Sequence, residues 1–409
     1  MALKRFVFLT GVSGLDLGKV LELAEGLGAA TAKYEDYVEE EFKAPIYHVS
    51  ELLLVRYTAI RDKFDKAFEK MISYLEGSGS EAAVIAAHVA YYRRSNVVAS
   101  PIVAKIAELA MRGAEVTVID YVDDYYHILY RVAKRIEQGE TPGVAGFQVL
   151  DPLGVMNWRS THHSITETLT LFGAKLYTYA SKHSRESHER LLAMLIGAEP
   201  PSGGAYTTAY ISHPITLVRK KAEKQGHPLD KFPDALEIER FKKNLEKQCP
   251  SLVLFSPTTI DELITRPGTD ELETRIDRAN RWPHEENQLH EYPYPVDLAS
   301  DFFDKLLYPV NQTTRNQGYL SQLRNSIEAS IERRDLSYVS QADMVIAYRP
   351  TMYLLTHMGV ETEIKTAIAM GKPVYSVMPP EERNIAYKLF RFEYPLFSTE
   401  ELLNILRCK

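Results

Sequence analysis

Residues 340–377 read SQADMVIAYRPTMYLLTHMGVETEIKTAIAMGKPVYSV. An apolar run at 344–347 predicts a strand. A helix is expected from near Gly359 to Gly371, and GKPVYSV predicts a second strand. Strand, loop, helix and strand in that order imply a parallel α/β layer. Two carboxylates punctuate it. Asp343 opens the first strand, and Glu363 falls in the first turn expected of the helix. Open α/β sheets gather their chemistry where strands end and helices begin. A carboxylate at a helix N-terminus is expected to stay ionised, as a nucleophilic carboxylate must.

The same alternation runs outward through the 409 residues. Strands are predicted at 5–10, 83–88, 116–120, 175–180, 208–212 and 251–256. Helices are predicted from near Lys19, over 50–75, through Arg135, and over 164–172, 187–195, 235–247, 317–332 and 398–406. GAEPPSGG at 197–204 supports neither helix nor strand and reads as a linker. It divides the chain into two three-layer parallel-sheet domains, 1–198 and 205–409. Residues 265–309, rich in Pro, His and Glu, read as an insertion in the second domain, a lid or a dimer contact.

Composition is that of a soluble globular protein, 45% hydrophobic and 25% charged. A net charge of −7 argues against a general nucleic-acid binder, which needs a basic surface. A small phosphorylated ligand remains compatible with it. Cys249 and Cys408 cannot form a disulfide scaffold, and a reducing compartment is the simpler reading. The apolar run after MALKR is too short to span a membrane and lacks a cleavage pattern, so a cytoplasmic protein is expected.

Three fragments of the second half fit together: AYISHPIT at 209–216, LVLFSPTT at 252–259, and the stretch from Asp343 to Val374. They resemble the nucleoside 2-deoxyribosyltransferase superfamily, which includes the 2-deoxynucleoside 5-monophosphate N-glycosidases. The pattern is aspartate, apolar strand, loop, Gly-x3-Glu-Ile-x2-Ala starting at Gly359, then Gly-Lys-Pro-Val. The resemblance implies a flavodoxin/Rossmann-like sheet with Glu363 as the nucleophile on the anomeric carbon. It makes Asp343 the residue that helps protonate the departing base, and Tyr210 the residue that positions the nucleophile. It sets the turn of Ser212, His213 and Ile215 under the sugar and phosphate. Such chemistry needs no cofactor, and members commonly form dimers, so a homo-oligomer is expected. The chain departs from the transferases at His357, where they carry an aspartate six residues before the nucleophile. That moves the expectation toward hydrolysis. Arg349, in a long loop, is a candidate partner for a substrate phosphate.

Taken singly, Glu363 is also what a solvated first-turn acid looks like, and Asp343 what a turn residue looks like. Their combination with Tyr210 and GKPV is what argues for a site. His213, His357, His284 and His290 match no metal-binding spacing.

In the first half, FVFLTGVSGLDLGKV at 6–20 is a strand, a glycine turn and a lysine at a helix start. Gly11, Ser13, Gly14, Gly18 and Lys19 lay out a phosphate-binding loop. Six residues separate Gly11 from Gly18 rather than the usual four, and Val20 cannot ligate magnesium. With residues 82–94 and 117–126, this half distantly resembles P-loop nucleoside monophosphate kinases of the adenylate-kinase type. The resemblance implies ATP and Mg binding there. A helical pattern at 157–169, NWRSTHHSITETL, has no assignment. The leading expectation is a nucleotide-metabolism enzyme cleaving or transferring an N-glycosidic bond, with a kinase-like nucleotide-binding domain. The alternatives are a small-molecule kinase with a C-terminal nucleotide-sensing module, and a non-enzymatic nucleotide-binding protein.

Overall fold

A computed structural model describes the chain apart from residues 1–2, 13–14, 16, 55–56, 94–95, 138–151, 261, 263–281, 284–288, 290–316, 353–357, 390–394 and 409. The expected positions Ser13, Gly14 and His357, and almost all of the 265–309 insertion, lie outside the described residues.

The first half is built on five parallel strands, β1 (Arg5–Gly11), β2 (Ala30–Lys33), β3 (Ala82–Ala86), β6 (Glu115–Val122) and β7 (Lys175–Ala180), in the order β2-β3-β1-β6-β7. An antiparallel hairpin of β4 (Ala90–Arg93) and β5 (Asn96–Ala99) follows β3. β3 reads AAVIA and is buried throughout, the unbroken apolar pattern of a strand covered on both faces. The second half has β8 (Thr207–Ser212), β9 (Leu252–Phe255), β10 (Met344–Tyr348), β11 (Val374–Val377) and β12 (Leu396–Phe397), all parallel, ordered β9-β8-β10-β11-β12. Counted within that half, this is the 2-1-3-4-5 doubly wound order, whose crevice opens between the first and third strands, here β8 and β10.

The first sheet carries α1 (Gly18–Gly26), α2 (Tyr34–Phe42), α3 (Ile46–Leu52), α4 (Arg61–Gly77), α5 (Ile102–Met111), α6 (Tyr125–Glu137), α7 (Pro152–Thr168) and α8 (Arg185–Ile196). The second carries α9 (Ile215–Lys224), α10 (Pro233–Gln248), α11 (Gln317–Gln341), α12 (Met358–Ala369), α13 (Pro380–Leu389) and α14 (Thr399–Ile405). The helix expected over 50–75 is two helices, α3 and α4, with a 3-10 turn at Tyr57–Ala59 between them. The helix expected over 164–172 starts earlier, at Pro152, and 317–332 extends to Gln341. No helix among the described residues is long and apolar enough to cross a membrane.

The halves share a core. One buried cluster contains Val7, Leu9, Tyr121, Tyr179 and Leu191 from the first, with Tyr210, Val253, Phe255, Tyr338 and Val345 from the second. Phe255 meets Tyr179 edge-on at 6.1 Å and stacks on Tyr338 at 5.6 Å. The Arg190 guanidinium on α8 donates to the carbonyls of Glu246, Cys249 and Leu252.

The cysteines do not support the expected reducing compartment. Cys249, after α10, and Cys408, after α14, form a disulfide with their Cα atoms 4.7 Å apart. The chain's return past β12 brings together residues 159 apart in sequence, which spacing alone could not reveal.

Candidate functional site

At the β8/β10 crevice, Ser212 ends β8 and its hydroxyl donates to the Glu363 carboxyl on α12. Tyr210, fully buried in mid-strand, directs its hydroxyl at the same carboxyl without a hydrogen bond of regular geometry. Opposite stands Asp335, in the penultimate turn of α11, gripped by the Arg334 guanidinium at 3.0 and 3.1 Å. Arg334 is itself buried and donates to the carbonyls of Pro257 and Ile260.

Two acids so placed cannot both ionise cheaply. Burial, then the charge of Asp335, push the Glu363 carboxyl up to about 8, although Ser212, Tyr210 and Arg334 pull the other way. Burial also raises Asp335, against the pull of Arg334. Burial and the charges of Asp335 and Glu363 push the Tyr210 phenol well above its ordinary value. The expectation that Glu363 is held ionised is thus corrected. α12 begins at Met358, so its first-turn acid is Glu361 and Glu363 lies a turn deeper. The stabilising field of a helix end has largely decayed there.

Asp343 does not join this site. It precedes β10 at the N-terminal edge of the sheet, whereas Glu363 follows the C-terminal edge. A five-residue strand separates those edges by about 16 Å. Asp343 instead accepts from the backbone N–H and hydroxyl of Thr208 at 2.8 and 2.9 Å, fastening β10 to β8. The second carboxyl at Glu363 is Asp335, eight residues before Asp343 in the sequence.

Arg349, the expected phosphate partner, is already paired. It directly follows β10 in a left-handed conformation (φ 49°) and binds Glu237 at 2.5 Å and Glu382. His213 is buried, its ring 5.2 Å from that of Trp282, whose indole N–H donates to Glu239. Ile215 starts α9, and Gly359 is the second residue of α12.

In the first half, the crevice lies where β1 and β6 meet, because the chain leaves these neighbours in opposite directions, toward β2 and β7. Gly11 is required there. A Cβ would strike the Leu15 side chain and lie 2.9 Å from the Tyr121 carbonyl oxygen. Gly18 begins α1, but the Lys19 ammonium reaches the Leu289 carbonyl at 3.4 Å, in the second half's insertion. After β6, Asp123, Asp124 and His127 are buried with ligand atoms within 4.8 Å of one another. They do not fit a metal as they stand. Asp123 is bound by Arg131 at 2.7 Å and His127 at 3.3 Å, and Asp124 is paired with Lys182.

The unassigned pattern at 157–169 belongs to α7. His162 and His163 both bind Asp120 of β6, at 3.0 and 2.7 Å, and His162 also meets the Thr10 hydroxyl of β1 at 3.0 Å. Burial opposes ionisation of Asp120, yet these histidines hold its carboxyl well below the usual range. One turn earlier, Arg159 reaches across to Glu262 and to the Ser330 hydroxyl of α11.

No protein-family model matches the chain, and no curated protein does. Among solved structures it is similar to a shikimate kinase from Bacteroides thetaiotaomicron, at 16% identity, over 47% of this chain and 98% of that one, with a TM-score of 0.31. A likeness of that size carries no argument about what this chain does.

Proposed function

We propose that the protein cleaves the N-glycosidic bond of a nucleoside or nucleotide, by hydrolysis or base transfer, at Glu363. The observation that carries this reading is the half-buried pair of Glu363 and Asp335 at the β8/β10 crevice, with Tyr210, Ser212 and Arg334 around it. Breaking a glycosidic bond needs a proton for the leaving group and a carboxylate for the developing cationic sugar. A pair holding one proton supplies both. The C–N bond breaks, its electrons stay with the base, and the pair's proton moves to that nitrogen. The carboxylate then captures the anomeric carbon as an ester. Water, or an incoming base, later releases the sugar and returns a proton to the pair. The substrate class comes from the resemblance of residues 206–377 to the deoxyribosyltransferase superfamily.

The test is incubation with a panel of nucleosides and deoxynucleoside monophosphates while free base is measured. Base release that survives unchanged in Glu363→Ala removes Glu363 from the chemistry.

A second reading concerns the β1/β6 crevice. The obligatory glycine at 11 and the helix start beside it favour a nucleotide's phosphates, so ATP binding belongs to this proposal. Lys19 is directed elsewhere and the acidic cluster is already neutralised by cations, so no phosphoryl-transfer step is derived.

A further inference from the structure

Between α7 and α11, where the halves meet, lies a cavity of about 170 Å³. Arg159, His163, Ser326, Ser330, Arg333 and Arg334 are among the residues lining it, and no carboxylate lines it among the described residues. We propose that this cavity binds a phosphate dianion, either free or as the monoester of a small metabolite.

Three guanidinium groups and an imidazole converge here. Arg334 has Asp335 as its counter-charge and Arg159 has Glu262. Arg333 forms no ion pair among the described residues, and its Nη1 donates only to the Ser160 hydroxyl at 3.1 Å. The Arg159 Nε has no partner among them either, although the residue is buried. His163 gives its Nδ1 side to Asp120 at 2.7 Å, which leaves Nε2 for a ligand. Burial works against a charged His163, but Asp120 raises it above its ordinary value. Crowded cations with surplus donors cost free energy until an anion accepts from them. Arginine forks suit tetrahedral oxyanions in particular. The volume falls below the roughly 300–1,000 Å³ of a pocket that encloses a drug-sized ligand. It therefore suits a phosphate with a small substituent rather than a whole nucleotide. This site borders the glycosidic one through Arg334, but it is tested separately, because its readout is binding and not base release.

The experiment is calorimetric titration of the full chain with inorganic phosphate. One saturable site is expected. Arg333→Ala, an exposed position that leaves the core intact, weakens it about tenfold or more, the worth of one charge-assisted hydrogen bond. Ser326→Asp, which introduces a carboxylate, abolishes it. Lys19→Ala leaves it within about twofold. The reverse pattern, loss in Lys19→Ala with Arg333→Ala unaffected, moves the phosphate to the glycine turn and overturns the proposal, as does the absence of saturable binding. Ribose 5-phosphate and ribose separate the sources. Tighter binding of the monoester than of phosphate supports a metabolite, and the reverse supports free phosphate. Equal binding of ribose and its phosphate overturns an anion site.

Discussion

The side-chain amide of Gln341 makes both hydrogen bonds to Thr178 that a neighbouring strand would make. Its Oε1 accepts from the Thr178 N–H and its Nε2 donates to the Thr178 carbonyl, each at 2.8 Å. β7 is the edge strand of the first sheet, and an unpaired edge invites pairing with another chain. The last residue of α11 closes it at that point.

Removing that amide should be costly. Gln341→Ala leaves the Thr178 backbone groups without these partners. We expect a loss of about 1–3 kcal/mol in urea unfolding, with a greater tendency to self-associate seen by light scattering. An unchanged urea midpoint would show that water replaces the amide.

The proton shared by Glu363 and Asp335 sets the pH dependence of activity. With the upper value of the pair at about 8, the singly protonated form is lost as pH rises through 8. Base release should therefore fall above that pH. A rate that instead climbs through 8 to a plateau means that the fully ionised pair is the active form.

The same raised acid acts on stability with a definite sign. A carboxyl whose folded value lies above its unfolded 4.5 binds more protons in the native state. Its contribution is full below about pH 4.5 and is lost as pH rises through 8. Glu363→Gln keeps a neutral side chain at every pH. It should be more stable than wild type above pH 8, by on the order of 1–3 kcal/mol. Parallel melting-temperature curves for the two proteins from pH 5 to 9 would contradict the assignment.

Asp343 and Asp335 separate structure from chemistry. Asp335→Asn should abolish base release while preserving the fold. Asp343→Ala should retain most of the turnover per folded molecule but lose about 1–3 kcal/mol, because the Thr208 N–H and hydroxyl lose their acceptor. The opposite outcome restores Asp343 to the site.

Cys249 and Cys408 give a fifth handle. Their bond ties the end of the chain to the end of α10. Cys408→Ser should lower stability by about 2–4 kcal/mol under non-reducing conditions, with no difference from wild type in excess dithiothreitol. Equal stability in both conditions would mean that the two thiols are not joined.

The strands were the legible part of the sequence. KLYTYA at Lys175–Ala180 is bounded by glycine and polar residues, and its predicted limits match the observed strand. β2 escaped notice because ATAK at Ala30–Lys33 is small and polar, and only pairing with β3 makes it a strand. Glu363 stood out by its place after a strand. Asp335 did not, since in IERRDLS it resembles one more charge on a solvated helical face. Its partial burial comes from the packing of α11 between the two sheets, a long-range event without a local signature. Asp343 misled for the converse reason, because adjacency to a strand does not say which end faces the crevice. The histidines of α7 were visible, but their partner Asp120 lies 43 residues away on β6.

The glycine-proline segment at 197–204 has the composition of a hinge, yet Tyr179, Phe255 and Tyr338 pack across it and Arg190 is bonded beyond it. A protease that cut there would nick the polypeptide without releasing either piece. The fragments should co-elute as one particle until denaturant parts them. Genes encoding the two pieces separately should complement each other when expressed together, and each should fail alone.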